Sequence, residues 1–156
     1  MAVYQIVQLG EDILRQKAQE VKKITPNIHK VLGNMAETMY EANGVGLAAP
    51  QVGISKRLVV VDIGEGLIEL INPVIVKKDG EETDNEGCLS VPNLIGEVKR
   101  AKSVVVQALN RDGEKVEYEA EGLLARAFQH EIDHLDGILF VDRATKLINK
   151  NEVSKN

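Results

Sequence analysis

The sequence predicts an α+β fold, in which antiparallel or mixed β-sheets pack around a central C-terminal helix and an amphipathic helix lies near the N-terminus. Two observations predict it. Apolar residues recur every three to four positions in segments 28–39 and 123–135, one toward each end of the chain. Short runs rich in β-branched residues fill the part between them. Helices at both ends with strands between them are typical of α+β proteins rather than of alternating βαβ units.

The N-terminal helix has recognisable ends. Thr25 can cap its first turn, and Pro26 suits the first helical position because a proline there loses no hydrogen bond. Asn43-Gly44 predicts where the helix stops, and residues 11–21 predict a shorter helical piece ahead of it. The apolar stripe of the helix consists of Ile28, Val31, Leu32, Met35 and Met39.

The middle of the chain predicts strands. Residues 57–63 predict a buried strand, and residues 68–76 predict a second one that Pro73 places at an edge or interrupts. Segments 103–109 and 116–120 flank Asn-Arg-Asp-Gly, a sequence typical of the turn of a β-hairpin.

Composition restricts the class of protein. The 156 residues, 44% hydrophobic and 28% charged, fit one globular domain over residues 1–145 and a basic C-terminal tail over residues 146–156. A net charge of −5 and 3% aromatic residues disfavour direct DNA binding. No apolar run approaches the roughly 20 residues that span a bilayer. One cysteine and no secretory signal lead us to expect a cytoplasmic protein, and we expect a monomer.

Two histidines lie on the C-terminal helix, in the sequence His130-Glu131-Ile132-Asp133-His134. Residues four apart lie one above the other on a helix, so both imidazoles can bind one metal ion. Glu131 can reach a water on that ion without being a ligand. This pattern is typical of metal-assisted hydrolysis, in which the ion acidifies a water and a carboxylate transfers its proton. The alternative is two histidines on an ordinary polar helix face.

Two histidines do not complete a catalytic site, which usually takes three protein ligands and a water. Beyond His134 the acidic side chains are Asp136, Asp142 and Glu152, and no third histidine follows. Cys88 is the other strong ligand in the chain. A lone cysteine is more often a small buried apolar residue, and a Cys–His nucleophilic pair is a further alternative that leaves Glu131 without a role.

Three separated motifs carry a resemblance to a known family. They are Gly-Val-Gly-Leu-Ala-Ala-Pro-Gln over residues 44–51, Glu-Gly-Cys-Leu-Ser over residues 86–90 and Gln-His-Glu-Ile-Asp-His over residues 129–134. In this order and spacing the chain resembles the peptide deformylases, which remove the formyl group from the N-terminal methionine of new bacterial proteins. The match extends over nearly the whole domain, so residues 1–145 are identified as a peptide-deformylase-like catalytic domain.

The resemblance implies a role for each motif. It implies that Cys88, His130 and His134 bind the metal. A water bound to that metal would attack the formyl carbon, with Glu131 as general acid/base, and formate would leave. It also implies that the Gln51 side-chain amide and the Leu89 backbone N–H bind the developing oxyanion, donor types suited to a tetrahedral intermediate.

Further residues are expected around this site. Gly44 and Gly46 suit places where the substrate backbone approaches closely. The expected substrate-binding residues are Gly44, Val45, Gly46, Leu123, Arg126 and Ala127. Glu86 and Arg100 are candidates for a pair that fixes the Cys88 strand, as the resemblance implies, although their spacing alone favours two surface charges. Asp133 either orients a histidine or lies in solvent.

A thiolate and two imidazoles can hold Fe²⁺, Zn²⁺, Ni²⁺ or Co²⁺. The resemblance implies Fe²⁺, one ion per chain, with the other ions as substitutes. It implies N-formylmethionyl nascent peptides as substrates and a C-terminus that can dock on the ribosome, although composition favours a solvated tail over residues 146–156. Two other functions stay open: an amidase for another N-acyl group, and an inactive module on the same scaffold. Such modules typically lose Glu131 or Gln51, and both are present.

Overall fold

The structure is a computed structural model that describes residues 2–150. It contains the two predicted helices: α1 spans Pro26–Glu41 and α2 spans Gly122–Leu135. Thr25 caps α1 as predicted, its side-chain oxygen accepting a hydrogen bond from the backbone N–H of Ile28 at 3.3 Å. No helix within these residues is long and apolar enough to cross a membrane.

The helical piece predicted over residues 11–21 is wrong beyond its first turn. Only Asp12–Arg15 is helical, as a single 3₁₀ turn. The backbone N–H of Ala18 donates to the carbonyl of Leu135 at 2.7 Å, and Gln19 forms a parallel bridge to the loop ahead of residue 58. Because these backbone groups bond to distant parts of the chain, they are not available for a local helix.

Eight strands within the described residues form two antiparallel sheets. They are Gly46–Ala48 (β1), Leu58–Val61 (β2), Ile68–Asp79 (β3), Glu82–Cys88 (β4), Val91–Arg100 (β5), Ser103–Leu109 (β6), Lys115–Glu121 (β7) and Lys146–Asn149 (β8). The larger sheet has the order β1-β2-β3-β6-β7, and the smaller has the order β4-β5-β8. β2, β3 and the β6–β7 hairpin confirm the strands predicted from the sequence.

β3 is interrupted where Pro73 predicted a break. Its pairing with β6 shifts register between Ile71 and Val74. Between them Asn72 has a φ of 54°, and its side-chain amide bonds both backbone groups of Val21 at 2.8 Å. An asparagine tolerates this left-handed conformation better than most residues. The break therefore also ties the segment before α1 to the larger sheet.

β8 lies in the segment for which the composition predicted a solvated tail. That prediction is wrong for residues 146–149. Leu94 of β5 pairs with Asn149, and Gly96 pairs with Leu147. The edge of β5 offers unpaired backbone groups, and β8 satisfies them. Residues 151–156 of the expected tail lie outside the described residues.

α2 lies between the two sheets, as the fold class predicted. Its apolar side packs into a core with the larger sheet and consists of Ala125, Ala127, Phe128, Ile132 and Leu135. Its polar side faces the smaller sheet and the segment that follows β5. There the Gln129 amide bonds both backbone groups of Ala101, at 3.0 and 2.9 Å. The two kinds of contact fix the rotation of the helix about its axis.

The turn after α2 generates a first prediction. Gly137, two residues after the end of α2, has a φ of +76°, and a Cβ added there would lie 2.5 Å from the carbonyl oxygen of Arg15. Gly53 has a φ of +82° and open space around it. Gly53→Ala should therefore cost only the left-handed backbone penalty, about 1–2 kcal/mol. Gly137→Ala should cost about 1–3 kcal/mol more because the backbone of Arg15 must move.

Urea unfolding of both variants beside the unchanged protein measures the difference. Equal losses of unfolding free energy in the two variants would show that the turn does not press on Arg15.

Candidate metal centre

One cleft of about 400 Å³ is lined by residues from all three motifs. Its walls are the segment between α1 and β1, the β4–β5 hairpin and the part of α2 up to Glu131. All six residues predicted to bind substrate line it, namely Gly44, Val45, Gly46, Leu123, Arg126 and Ala127. Val45 and Leu123 are 43% and 56% exposed, so they form the mouth rather than the floor. The structure thus brings the predicted binding residues together.

Cys88 and His130 line this cleft, and His134 lies fully buried beside them. One ligand atom from each lies within 4.8 Å of the others. Cys88 Sγ is 3.4 Å from His134 Nε2, and two such ligands of a tetrahedral ion are expected about 3.5 Å apart. Cys88 ends β4, whereas both histidines lie on α2, so the set spans two layers of the fold. The set has the donors and spacing of a site for one transition-metal ion.

The charges around the histidines also fit a cation. Burial lowers the pKa of His134 well below its usual value, so it is a neutral imidazole. Burial alone would lower the pKa of His130 too, but the charges of Glu131 and Cys88 and the bond to Glu86 outweigh it and raise it to about 10. The surroundings of His130 therefore favour positive charge, which a bound divalent ion supplies in place of a proton.

Glu131 is the buried carboxylate of the cleft. It is 5% exposed, and its Oε1 has no hydrogen-bond partner among the described residues. Burial raises the pKa of Glu131 to about 7, which favours a group that exchanges protons near neutral pH. A Cβ added at Gly46 would lie 2.6 Å from Glu131 Oε2. Because Gly46 has no side chain, the Glu131 carboxylate has room beside it.

Gln51 is fixed with its amide nitrogen toward the ligands. It lies in a 3₁₀ turn, Ala49–Val52, that follows β1. Its Oε1 accepts from the Ala48 backbone N–H at 3.0 Å, so its Nε2 points to Ser90 Oγ at 3.2 Å and Cys88 Sγ at 3.5 Å. The orientation of the Gln51 amide is thus defined at both Oε1 and Nε2, and Nε2 lies on the side of the metal ligand Cys88.

The N-terminal segment braces this arrangement. The Val7 N–H donates to the Gln51 carbonyl at 2.7 Å, and the Leu9 N–H donates to the Ser90 carbonyl at 2.8 Å. Leu89, the second predicted oxyanion donor, lies with Ser90 in the two-residue turn between β4 and β5. Sequence reasoning assigned no role to Ser90, although it belongs to the second motif. Its buried hydroxyl, which accepts from Gln51, becomes evident only in three dimensions.

Glu86 connects the ligands to a buried group of charges. Its Oε1 accepts from His130 Nδ1 at 2.8 Å, and Arg100 donates two bonds to the carboxylate, both at 2.9 Å. The predicted Glu86–Arg100 pair is therefore present. The alternative that spacing favoured, two separate surface charges, is wrong. Burial would raise the pKa of Glu86, but the bonds from Arg100 and His130 outweigh it and lower it well below the carboxyl range.

Asp133 does neither of the two things expected of it. Its side chain makes no hydrogen bond to a histidine of the described residues and is only 14% exposed, and it accepts from Arg100 at 2.5 Å and from Arg143 at 2.6 Å. It therefore braces Arg100, which in turn holds Glu86. The sequence did not reveal this because the partner is distant in the chain. Lys150, which follows β8 and lines the cleft, was given no role there from the sequence because β8 was not predicted.

Comparisons with known proteins agree with this geometry. Residues 3–150 match the family model described as polypeptide deformylase. The chain is 65% identical over 146 residues to a peptide deformylase of Desulfitobacterium hafniense, covering 94% of this chain and 97% of that protein. The crystal structure of peptide deformylase from Thermotoga maritima superposes with a TM-score of 0.91 at 47% identity, covering 94% of this chain and 100% of that one.

A third relative is known with a peptide in place. The class I type b peptide deformylase from Acinetobacter baumannii, in its Met-Ala-Ser-bound crystal structure, superposes with a TM-score of 0.87 at 40% identity, covering 91% of this chain and 98% of that one. A family match over almost all of the described residues and an identity of 65% leave one conclusion. The chain is a member of the polypeptide deformylase family of metal-dependent hydrolases.

Proposed function

We propose that this chain removes the formyl group from the N-terminal methionine of newly made proteins, with Cys88, His130 and His134 holding the metal ion. One observation carries the proposal: the three ligand atoms lie within 4.8 Å of one another, and Cys88 and His130 line the same cleft as Glu131, whose buried Oε1 has no hydrogen-bond partner among the described residues. A structural metal site would be closed by four protein ligands. Three protein ligands leave a position for a water, and the Glu131 carboxylate lies beside it, as hydrolysis requires.

The bound ion supplies Lewis acidity, which makes a water a better nucleophile at neutral pH and polarises a carbonyl oxygen. We propose Fe²⁺ as the working ion, one per chain. A thiolate with two imidazoles also accepts Zn²⁺, Ni²⁺ or Co²⁺, so these are expected substitutes. A ferrous ion held by Cys88 would be open to oxidation, so we expect the enzyme to be sensitive to air.

Glu131 moves the protons of the reaction. Its carboxylate accepts a proton from the attacking water and later delivers it to the departing α-amine, as formate leaves. A pKa raised by burial suits both steps, because the group is then neither too weak a base nor too weak an acid. Gly46 leaves the carboxylate room beside the reacting formyl group.

Gln51 and Leu89 act on the oxygen of the formyl group. The Gln51 Nε2, held toward Cys88, and the Leu89 backbone N–H of the adjoining turn donate hydrogen bonds to the charge that develops there. Because the Gln51 amide is fixed from both ends, little reorganisation is needed as the charge appears.

The cleft also suits the substrate. Val45, Leu123 and Ala127 give it an apolar lining that fits a methionine side chain. Met-Ala-Ser, bound to the Acinetobacter baumannii relative, is what deformylation of formyl-Met-Ala-Ser would yield. This supports a peptide with N-terminal methionine as the ligand of this chain too.

We further propose that the enzyme acts as a monomer in the cytoplasm. The ligands, Glu131 and Gln51 all come from one chain, so the cleft needs no partner copy. Cys88 is a free cysteine, which is typical of proteins in reducing compartments such as the cytoplasm. A ribosome contact would involve the exposed lysines of the C-terminal segment, Lys146 and Lys150, and is a proposal of the same kind.

The role of Glu131 generates a prediction. Glu131→Gln keeps the size of the side chain but cannot accept a proton, so formate release from formyl-Met-Ala-Ser should fall about 10²–10⁴-fold while metal content stays at one ion per chain. Glu121→Gln, an exposed glutamate just before α2, is the control and should retain full activity. Near-normal turnover by Glu131→Gln would remove Glu131 from the mechanism.

The ligand set generates a second prediction. His134→Ala removes one of three ligands, so metal affinity should fall by about 100-fold or more, measured by elemental analysis after dialysis. His29→Ala is the matched control because His29 bonds the Arg111 carbonyl, away from the cleft. Equal metal content in the two variants would contradict the assignment of His134.

Gly46 generates a third prediction. Gly46→Ala places a methyl group against the Glu131 carboxylate and should lower kcat about 10–100-fold with metal retained, since small misplacements of catalytic groups are costly. Gly44→Ala meets the mobile end of the Leu89 side chain at 2.8 Å and should lower kcat less. If steady-state kinetics gave equal losses, the space left by Gly46 would not matter for Glu131.

A further inference from the structure

Arg126 faces the cleft with its stem but directs its charge elsewhere. It lies one helical turn before His130 on α2, and its side chain is 8% exposed. Its Nη1 donates to Glu86 Oε2 at 2.6 Å and to the Val98 carbonyl at 2.9 Å, and its Nη2 donates to the Glu82 carbonyl at 2.7 Å. The guanidinium is therefore engaged with β4 and β5, and we expect a substrate in the cleft to meet the apolar stem of Arg126 rather than its charge.

The Glu86 carboxylate is saturated by these contacts. Arg100 and Arg126 both donate to its Oε2, while Arg100 and His130 both donate to its Oε1. A carboxylate has about four lone-pair sites, and the four donors account for them. The carboxylate can therefore not rotate without breaking an ion pair, and its Oε1 stays directed at His130.

The two arginines are not equivalent in this arrangement. Arg100 divides its guanidinium between Glu86 and Asp133, which is itself shared with Arg143. Arg126 brings its charge to Glu86 and otherwise bonds backbone carbonyls. It also belongs to the same helix as His130, so it fixes Glu86 relative to the element that carries the ligand.

We propose that Arg126 is a positioning residue for the metal ligand His130: it holds Glu86 so that the His130 Nδ1–H stays bonded and the Nε2 faces the ion. This rests on the proposed function, since it assumes that His130 binds the metal. A ligand histidine whose second nitrogen is fixed by a carboxylate keeps its tautomer and ring orientation. Arg126 therefore acts on the metal through Glu86, and not on the substrate through its charge.

Two variants test this. Arg126→Met keeps a stem of similar width for the cleft and removes the guanidinium. Arg126→Lys keeps the charge but loses the planar fork. Chelator competition with Zn²⁺ or Co²⁺ measures metal affinity, and thermal unfolding with and without the ion measures the metal-induced rise in Tm. Arg126→Met should weaken metal affinity about 10–100-fold, with a smaller rise in Tm, and Arg126→Lys should lie between.

The kinetic readout separates positioning from substrate binding. The metal-loaded Arg126→Met protein should keep its KM for formyl-Met-Ala-Ser within about threefold, because the stem still lines the cleft. A rise in KM with metal affinity unchanged would overturn the proposal in favour of substrate binding. A Tm lowered equally with and without the ion, at unchanged affinity, would overturn it in favour of a purely structural role.

Arg143→Met is the matched control. Arg143 is a partly exposed arginine at the outer end of the same charge group and bonds Asp133 rather than Glu86. The metal affinity of Arg143→Met should equal that of the unchanged protein. If Arg126→Met fails to fold, Arg126→Lys carries the test. An unchanged protein that binds no metal would refute the proposed function, whereas normal metal binding by both Arg126 variants would refute this inference alone.

Discussion

The metal centre depends on the contact between the Glu86 carboxylate and the helix that carries the histidines. Glu86 lies two residues before Cys88 on β4, and it bonds His130 on α2 at 2.8 Å. A buried carboxylate is costly unless it is paired and fully hydrogen-bonded. Glu86 meets that condition only when α2 and β4 stand in one relative position. The position that satisfies the charge is also the position that brings the three ligands together.

The rest of the fold supports this contact by dividing α2 into two sides. Ala125, Phe128 and Leu135 are buried against the larger sheet, and polar contacts face the smaller sheet and the chain after it. Hydrophobic burial holds the helix in place without specifying direction, whereas the charged and amide contacts specify it. A rotation of α2 would expose apolar area and leave buried charges unpaired at the same time.

The sequence was sufficient where the cause is local. Thr25 and Pro26 define the start of α1, and a His-x-x-x-His pair on one helix face predicts a shared ion without knowledge of the fold. Local spacing left the role of Cys88 open between metal ligand, nucleophile and core residue. The resemblance to the deformylases implied that it is a metal ligand. The residues expected to bind substrate, three from the first motif and three from the start of α2, also line the cleft.

The sequence failed where partners are distant in the chain. Ala18 bonds Leu135, so the first helical piece does not form. β8 forms because β5 offers it an edge, which composition cannot indicate. Asp133 was considered only as a neighbour of the histidines in sequence, but its partners are Arg100 and Arg143.

Formate release by the anaerobically purified, iron-loaded protein tests the central claim most directly. With one iron ion per chain, it should release formate from formyl-Met-Ala-Ser and should leave acetyl-Met-Ala-Ser intact. Absence of formate release from a sample shown to contain one iron per chain would contradict the account, because every geometric requirement for deformylation would then be met without the reaction.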